Sequence, residues 1–289
     1  MDFRAIGMGL AFALMWSSAF TSARIIVAAA PPLTALSLRF LISGLIAIGI
    51  AAALGQSWSM SRSQWRAVTI FGISQNALYL GLNFVAMQWV EASLAAIVAS
   101  TMPLLVALAG WAIFGERVSR LGFFGLLAGV AGVTIIMGTR LSGGADPLGV
   151  ALCVVGVMAL TVATLTVRNA ASGGNILMIV GLQMLVGSGV LAVVADTTET
   201  WQVAYSWPLA AAFVYTTLVP GLAATWVWFL LVSRIGAVKA ATFHFLNPFL
   251  GVAVAAAILG ETLGPLDLAG VAVIAAGILA VQLSRQSRG

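Results

Sequence analysis

Long apolar stretches alternate with short polar, glycine-containing or proline-containing connections along the whole chain. This pattern predicts ten helices, at approximately residues 5–28, 33–54, 65–89, 92–113, 120–138, 147–169, 175–195, 208–232, 236–259 and 265–284. Each stretch is close to the roughly 20 apolar residues that an α-helix needs to cross a bilayer. The stretches lack the alternation of a transmembrane β-strand, and the connections are too short for a soluble domain. The predicted fold class is therefore an all-α polytopic membrane protein.

Composition supports a lipid environment. Of the 289 residues, 62% are hydrophobic and 7% are charged, whereas a soluble domain carries roughly 25% charged residues. Because so few charges cannot cover a surface that faces water, the lipid bilayer is the expected partner. The net charge of +5 does not indicate nucleic-acid binding, because the basic residues are spread over the short connections. The single Cys153 excludes a disulfide bond within one chain.

An ungapped internal repeat divides the chain. Residues 92–116 are echoed at residues 237–261, 145 positions later. Repeats at a long fixed offset in an apolar chain are typical of transporters. We therefore predict a first repeat of helices 1–5 at residues 1–140 and a second of helices 6–10 at residues 141–289. An odd number of spans in each repeat predicts that the second repeat enters the membrane in the inverted orientation.

The distribution of charge predicts the orientation of the chain. If the N-terminus is cytoplasmic, ten of the thirteen Lys and Arg residues fall on inner segments and six of the eight acidic residues fall on outer segments. Cytoplasmic segments of membrane proteins carry the excess of basic residues. Both termini are therefore predicted to be cytoplasmic.

The repeated block resembles the drug/metabolite transporter superfamily, in particular proteins with two EamA-type domains. In each copy a proline is followed by eleven residues and then by Gly-Glu, as Pro103, Gly115 and Glu116 and as Pro248, Gly260 and Glu261. The resemblance implies ten helices in two inverted five-helix repeats, a bacterial inner-membrane location and a central cavity between the halves. Within the superfamily, the chain resembles bacterial exporters of amino acids, including aromatic ones.

Polar residues of helix 3 are candidates for substrate binding, because polar groups at membrane depth are costly and often functional. Asn76, Tyr79 and Asn83 are spaced so that they would share one face of an α-helix. That face could bind the backbone of an amino acid while the tyrosine ring packs on its side chain. The alternative is that these residues only form polar contacts between helices.

Helix 9 carries His244 and Asn247 directly before Pro248. Proline removes one helical hydrogen bond and is expected to leave the carbonyl of His244 free. This polar segment could contact the substrate, or it could be a kink solvated by its own side chains. Pro103, Pro220 and Pro248 are the predicted hinge or gating positions.

Other residues in the interiors of helices complete the predicted set. The remaining substrate-binding candidates are Trp16, Ser17, Met102, Thr161, Gln183 and Trp226. Arg39 could extend its side chain towards the membrane surface, or it could hold a substrate carboxylate. Glu116 and Glu261 follow glycines suited to helix ends and are predicted to be structural, near the N-terminus of the following helix.

These observations predict an exporter of amino acids or related small metabolites that works by alternating access, with helices 1–5 rocking against helices 6–10. No Asp or Glu lies in the middle of a predicted helix, and carboxylates there are the usual relays of ion-coupled carriers. We therefore expect facilitated uniport. The alternative is a multidrug or cationic-compound exporter driven by proton antiport, which commonly uses a buried carboxylate.

An intramembrane enzyme is disfavoured. The chain has no H-E-x-x-H or G-x-S-x-G motif, and it has one His and one Cys. We accordingly predict no enzymatic activity, no metal and no cofactor. A small-molecule substrate is the expected partner, and the expected oligomeric state is a monomer or a weak homodimer.

Overall fold

The computed structural model describes residues 3–115, 117–167 and 175–286. Within these ranges ten helices are long and apolar enough to span a membrane, so the predicted all-α class with ten spanning helices is confirmed. They are α1 (Phe3–Val27), α2 (Pro32–Ala53), α3 (Arg62–Ala86), α4 (Ala92–Ile113), α5 (Arg120–Ser142), α6 (Pro147–Thr166), α7 (Ile176–Thr198), α8 (Trp207–Val232), α9 (Lys239–Leu259) and α10 (Pro265–Ser284). The orientation of the termini and the inverted repeat topology stay predictions.

Four of the spans are interrupted. A π-helical segment, Gly72–Leu80, lies inside α3, and a shorter one, Val219–Ala223, lies inside α8. α4 breaks at Thr101, and α9 contains the 3₁₀ segment Thr242–Leu246 before its last part. The interrupted spans are the third and fourth of each predicted repeat. Interruptions of this kind are frequent at functional sites of helices.

Prolines explain where α4 and α9 are interrupted. Pro103 and Pro248 lie in the first turn of the segments Met102–Phe114 and Asn247–Leu259, where a missing N–H costs nothing. In α4 the hydroxyl of Thr101 donates to the carbonyl of Val98 at 2.6 Å. The expectation of a free His244 carbonyl was wrong, because the 3₁₀ turn lets the backbone N–H of Asn247 donate to it.

Two compact units make up the chain. The first comprises Met1–Thr21, Trp89–Val150 and Ala223–Gly289. Within it α5 and α10 approach each other through glycines. A Cβ atom on Gly125 would lie 2.8 Å from the carbonyl oxygen of Gly277. Only glycine permits backbones to come this close, which is the usual way that membrane helices pack.

The second unit comprises Ser22–Gln88 and Ala151–Leu222. Within it α2 and α7 also approach through glycines, since a Cβ on Gly181 would lie 2.9 Å from the carbonyl oxygen of Gly44. α3 packs on the same helix α7, where a Cβ on Gly72 would lie 2.7 Å from the carbonyl oxygen of Gln183.

The compact units do not coincide with the two sequence repeats. α5 belongs to the first repeat and α10 to the second, and the same holds for α2 and α7. Rocking of helices 1–5 as one rigid body against helices 6–10 would separate both glycine contacts. We therefore expect that each of these helix pairs moves as one body.

Two glutamates cap helices from the other half of the sequence. Glu199 accepts the backbone N–H groups of Leu33 and Thr34 at 2.7 and 2.8 Å, at the N-terminus of α2. Glu261 accepts those of Ala92 and Ser93 at 2.8 and 2.9 Å. Glu261 therefore caps the N-terminus of α4. The sequence had suggested instead that it would lie at the N-terminus of the following helix. Glu116 lies outside the described residues.

The cap on α2 predicts a specific loss of stability. Replacement of Glu199→Gln removes the negative charge from three charge-assisted hydrogen bonds, which come from two backbone N–H groups and the hydroxyl of Thr34, and from the positive end of the helix dipole. We expect the free energy of unfolding to fall by about 1–2 kcal/mol, measured as a lower melting temperature in detergent. Asp196→Asn, an identical charge change on an exposed residue of α7, is the control. Equal melting temperatures of the two variants would contradict the role of the cap.

Candidate functional site

Four aromatic side chains form a cluster within the first unit, which we call the aromatic cluster. It consists of Phe12 and Trp16 of α1, Trp228 of α8 and His244 of α9. The ring of Phe12 lies 4.7 Å from Trp228 and 5.5 Å from His244, measured between ring centroids. His244 meets Trp16 edge-on at 6.4 Å and Trp228 at 5.4 Å. These distances lie within the range of attractive aromatic pairs.

Local sequence explains why these rings meet. Phe12 and Trp16 are four residues apart on α1 and therefore project from the same face. One turn earlier, Gly9 has no side chain, and a Cβ there would lie 2.3 Å from the ring of Phe243. Beside the rings lies an apolar core of Ala5, Leu231, Ala240 and Phe243, against which Trp228 packs. This core holds the end of α8 and the start of α9 against the start of α1.

A chain of polar contacts adjoins the aromatic cluster. The hydroxyl of Ser17 donates to the backbone carbonyl of Asn247 at 3.3 Å. The side-chain amide nitrogen of Asn247 lies 2.9 Å from Nδ1 of His244. The Oδ1 atom of Asn247 is buried and has no hydrogen-bond partner among the described residues, and the same holds for the hydroxyl of Thr21.

An unpartnered amide oxygen in an apolar interior is costly, of the order of 1–3 kcal/mol. Such a group is compensated when a ligand donates a hydrogen bond to it. Trp16, Trp228 and His244 are half-buried, so part of each ring is free for contact. Aromatic rings attract both apolar side chains and cations. The arrangement is therefore suited to a small molecule that has an apolar group and a protonated amine.

Four of the predicted substrate-binding residues come together here, namely Trp16, Ser17, His244 and Asn247. Trp226 does not join them, because 60% of its surface is exposed. Residues that are two positions apart on an α-helix point in directions about 200° apart around its axis, so Trp226 and Trp228 cannot face the same side. Phe12 was missed by the sequence analysis, although its spacing of four from Trp16 would have revealed it. Met102 lies in the same unit and is half-buried.

The candidate residues Asn76, Tyr79 and Asn83 of α3 lie in the second unit and are buried. The amide nitrogen of Asn76 donates to the carbonyl of Gln183 on α7 at 2.9 Å. That of Asn83 donates to the carbonyl of Tyr79 at 2.8 Å, and a Cβ on Gly156 of α6 would lie 2.7 Å from it. Tyr79 and Asn83 both lie next to Gly156 of α6, whereas Asn76 contacts α7, so the three residues do not all share one face. The reason is the π-helical segment, which has more residues per turn than an α-helix. Asn76 packs against α7 and Asn83 against α6.

The other candidates of the second unit also contact protein groups or remain without an assigned contact. The hydroxyl of Thr161 donates to the carbonyl of Val157 on its own helix at 2.8 Å. Gln183 takes part through its backbone carbonyl, as described above. Pro220 lies within the π-helical segment of α8. Arg39 is 6% exposed, so its side chain does not extend to the membrane surface as the first of the two interpretations required.

The charged residue Arg140 has structural partners. Within the first unit, Arg140 forms ion pairs with Glu91 and with Asp267, the latter at 3.2 Å. A cavity of about 810 Å³ in the second unit adjoins Glu199 and contains none of the predicted substrate-binding residues. Among the described residues, no group of three His, Cys, Asp or Glu side chains could hold a metal ion.

Comparison with known proteins gives a consistent result. The model of the EamA-like transporter family matches residues 3–138 and again residues 147–283. The uncharacterized inner membrane transporter YedA of Escherichia coli K12 is 26% identical over 96% of this chain and 90% of its own. This relative and the ten spans agree with the predicted location in a bacterial inner membrane.

Two further similarities concern part of the chain and the fold. The aromatic amino acid exporter YddG of Ancylobacter novellus is 31% identical over 136 residues, which are 47% of each chain. One crystal structure aligns with a TM-score of 0.70 at 22% identity, over 98% of this chain and 99% of that one. At this identity the structural similarity shows the fold alone.

The contacts of α3 predict how two neighbouring substitutions differ. Asn76→Ala removes the hydrogen bond to α7, so we expect the free energy of unfolding to fall by about 0.6 kcal/mol, and by no more than about 1.7 kcal/mol. Tyr79→Phe removes a hydroxyl that has no hydrogen bond with a described residue. It should change stability by less than about 0.5 kcal/mol. Thermal unfolding in detergent measures both, and a larger loss for Tyr79→Phe would contradict this assignment.

Proposed function

This chain belongs to the EamA-like transporter family, and we propose that it exports amino acids or related small metabolites across a bacterial inner membrane. In this proposal the aromatic cluster and Asn247 bind the solute. The names of the relatives describe transport, and they give no support to an enzymatic activity. The name of YddG supports amino acids as the class of solute, and aromatic ones in particular.

The observation that carries the proposal is the buried, unpartnered Oδ1 atom of Asn247 beside half-buried aromatic rings. The ammonium group of an amino acid can donate a hydrogen bond to this oxygen. Its apolar side chain can pack on Trp16 and Trp228. His244 holds the amide of Asn247 through the 2.9 Å contact, which leaves Oδ1 as the atom that is available to the solute.

Alternating access requires helices that can bend without exposing unpaired backbone N–H and C=O groups to lipid. The interruptions at Pro103, Pro220 and Pro248 supply such points, since their backbone is already irregular. Two of them flank the aromatic cluster along the chain, because Pro220 precedes Trp228 and Pro248 follows His244. Bending there would change the exposure of the cluster, which is the requirement for releasing a solute.

Facilitated uniport is the proposed mode of transport. Among the described spans, the acidic residues Asp196 and Asp267 lie within one turn of a helix end. A carboxylate in mid-membrane, which proton- or sodium-coupled carriers commonly use, is therefore not part of the proposal. The second candidate is an exporter of cationic compounds by proton antiport, which is favoured by the affinity of aromatic rings for cations.

A substitution within α8 tests the solute site. We expect Trp228→Ala to lower the counterflow of labelled L-phenylalanine in proteoliposomes by about tenfold or more, because the ring is a main contact of the solute. Trp226→Ala is the matched control, since it removes the same side chain from an exposed position of the same helix. Equal transport by the two variants would overturn the site. Exchange of ethidium without exchange of any amino acid would favour the second candidate.

Ion gradients test the mode of transport. Wild-type proteoliposomes should exchange L-phenylalanine with no imposed gradient, and net flux should follow the solute gradient alone. The measurement is uptake with and without ionophores that collapse proton and sodium gradients. Transport that strictly requires either gradient would contradict uniport while leaving the solute site intact.

A further inference from the structure

Arg39 is a buried cation that has no anionic partner among the residues that the structure describes. It lies in the second turn of α2, within a membrane span, and is 6% exposed. Its Nε atom is buried and has no hydrogen-bond partner in the described part of the chain. The ion pairs found among the described residues involve Arg140 and not Arg39.

The neighbours of Arg39 among the described residues are uncharged. The guanidinium group lies 5.1 Å from the ring centroid of Phe40. A Cβ atom placed on Gly221 would lie 3.6 Å from the Nη2 atom of Arg39 and 3.4 Å from the hydroxyl of Ser43. Arg39 and Ser43 are four residues apart and so share one face of α2. That face is turned to Gly221, which belongs to the π-helical segment of α8.

An unpaired cation at this depth is expensive. A charged side chain within a membrane span is rare, and when present it usually pairs with an opposite charge or marks a solute pathway. An isolated charge in an apolar interior costs free energy, and a neutral side chain in its place does not carry this cost. Arg39 therefore needs either a structural reason or a ligand, and these two explanations predict opposite effects of its removal.

We propose that Arg39 binds the carboxylate group of a small organic solute, and that this site lies in the second unit beside the π-helical segment of α8. The planar guanidinium offers two parallel N–H donors, which match the two oxygens of a carboxylate. Because Gly221 has no side chain, a movement of the backbone at this position can expose the Nη2 end of the guanidinium. Because its backbone hydrogen bonding is irregular, the π-helical segment is the part of the site that can open to admit the solute.

The carboxylate can come from a free organic acid or from a zwitterionic amino acid. The site does not depend on the solute site of the first unit, since none of its residues belongs to the aromatic cluster. It extends the proposed function because a transported amino acid would carry the group that Arg39 binds.

Thermal unfolding of the purified full chain in detergent tests this proposal. The probes are benzoate, L-phenylalanine and 2-phenylethylamine, each titrated at constant ionic strength made up with sodium chloride. Benzoate carries only a carboxylate, 2-phenylethylamine only an amine, and L-phenylalanine both. The variants are Arg39→Gln, Arg39→Lys and, as the matched control in the same unit, Arg24→Gln. Arg24 already donates to the backbone carbonyl of Met87.

Without probes, Arg39→Gln should melt at or above the temperature of the wild type, because it removes an unpaired buried charge. Benzoate should raise the melting temperature of the wild type and of Arg24→Gln in a saturable manner, and it should have no effect on Arg39→Gln. Arg39→Lys keeps the charge but loses the parallel donors, so its apparent affinity for benzoate should fall by about tenfold. If benzoate is the only probe whose effect Arg39→Gln loses, the source of the carboxylate is a free organic acid. If the effect of L-phenylalanine is lost as well, the source is the amino acid.

Two results would overturn the proposal. One is a wild type that responds to benzoate no more than Arg39→Gln does. The other is an Arg39→Gln protein that is less stable than the wild type or fails to fold, together with an Arg39→Lys protein that binds benzoate with unchanged affinity. Stabilisation by 2-phenylethylamine depends on Trp228 in the first unit and not on Arg39. Its loss in Trp228→Ala therefore reports on the proposed function separately.

Discussion

No water reaches the backbone inside a membrane, and each N–H and C=O group must find its partner within the protein. Regular helices satisfy this requirement without help. Where the helices are interrupted, the partners come from tightened turns and from hydroxyls, such as those of Ser100 and Thr101 in α4. Against this background, the few buried groups without partners stand out. Asn247 and Arg39 are two of them, and each lies beside or within an interrupted region.

The same environment explains how the helices associate. Lipid and leucine are equally apolar, so helices gain little from burying large side chains and more from close backbone contact. The glycines of α5 and α10, and of α2 and α7, provide that contact within each unit. Because each pair joins the two sequence repeats, we expect that neither repeat moves as one rigid body. The irregular helices α3, α4, α8 and α9 carry most of the candidate site residues, while the glycine-packed pairs form a stable framework.

The ends of the ten spans could be predicted from the sequence because hydrophobicity and length decide them almost alone. The breaks in α4 and α9 were also signalled, since proline cannot continue a helix. The π-helical segment of α3 was not, because it contains no proline and results from packing against α7. The choice between Trp226 and Trp228, and the burial of Arg39, depend on which face of a helix meets its neighbours. Apolar residues occupy all faces of these helices, so the periodicity of the sequence does not indicate which face meets a neighbouring helix. In a helix of a soluble protein, the polar face would have indicated it.

The glutamate caps have a consequence for the biosynthesis of the protein. The N-terminus of α2 is capped by a residue made 165 positions later, and that of α4 by one made 169 positions later. At about 5–20 residues per second, ribosomes need about ten to thirty seconds to cover that distance. During this interval α2 and α4 have been made without the residues that cap their N-termini. These two helices must therefore tolerate an incomplete state, and any factor that shields their ends would act before residue 199 is made for α2 and before residue 261 is made for α4.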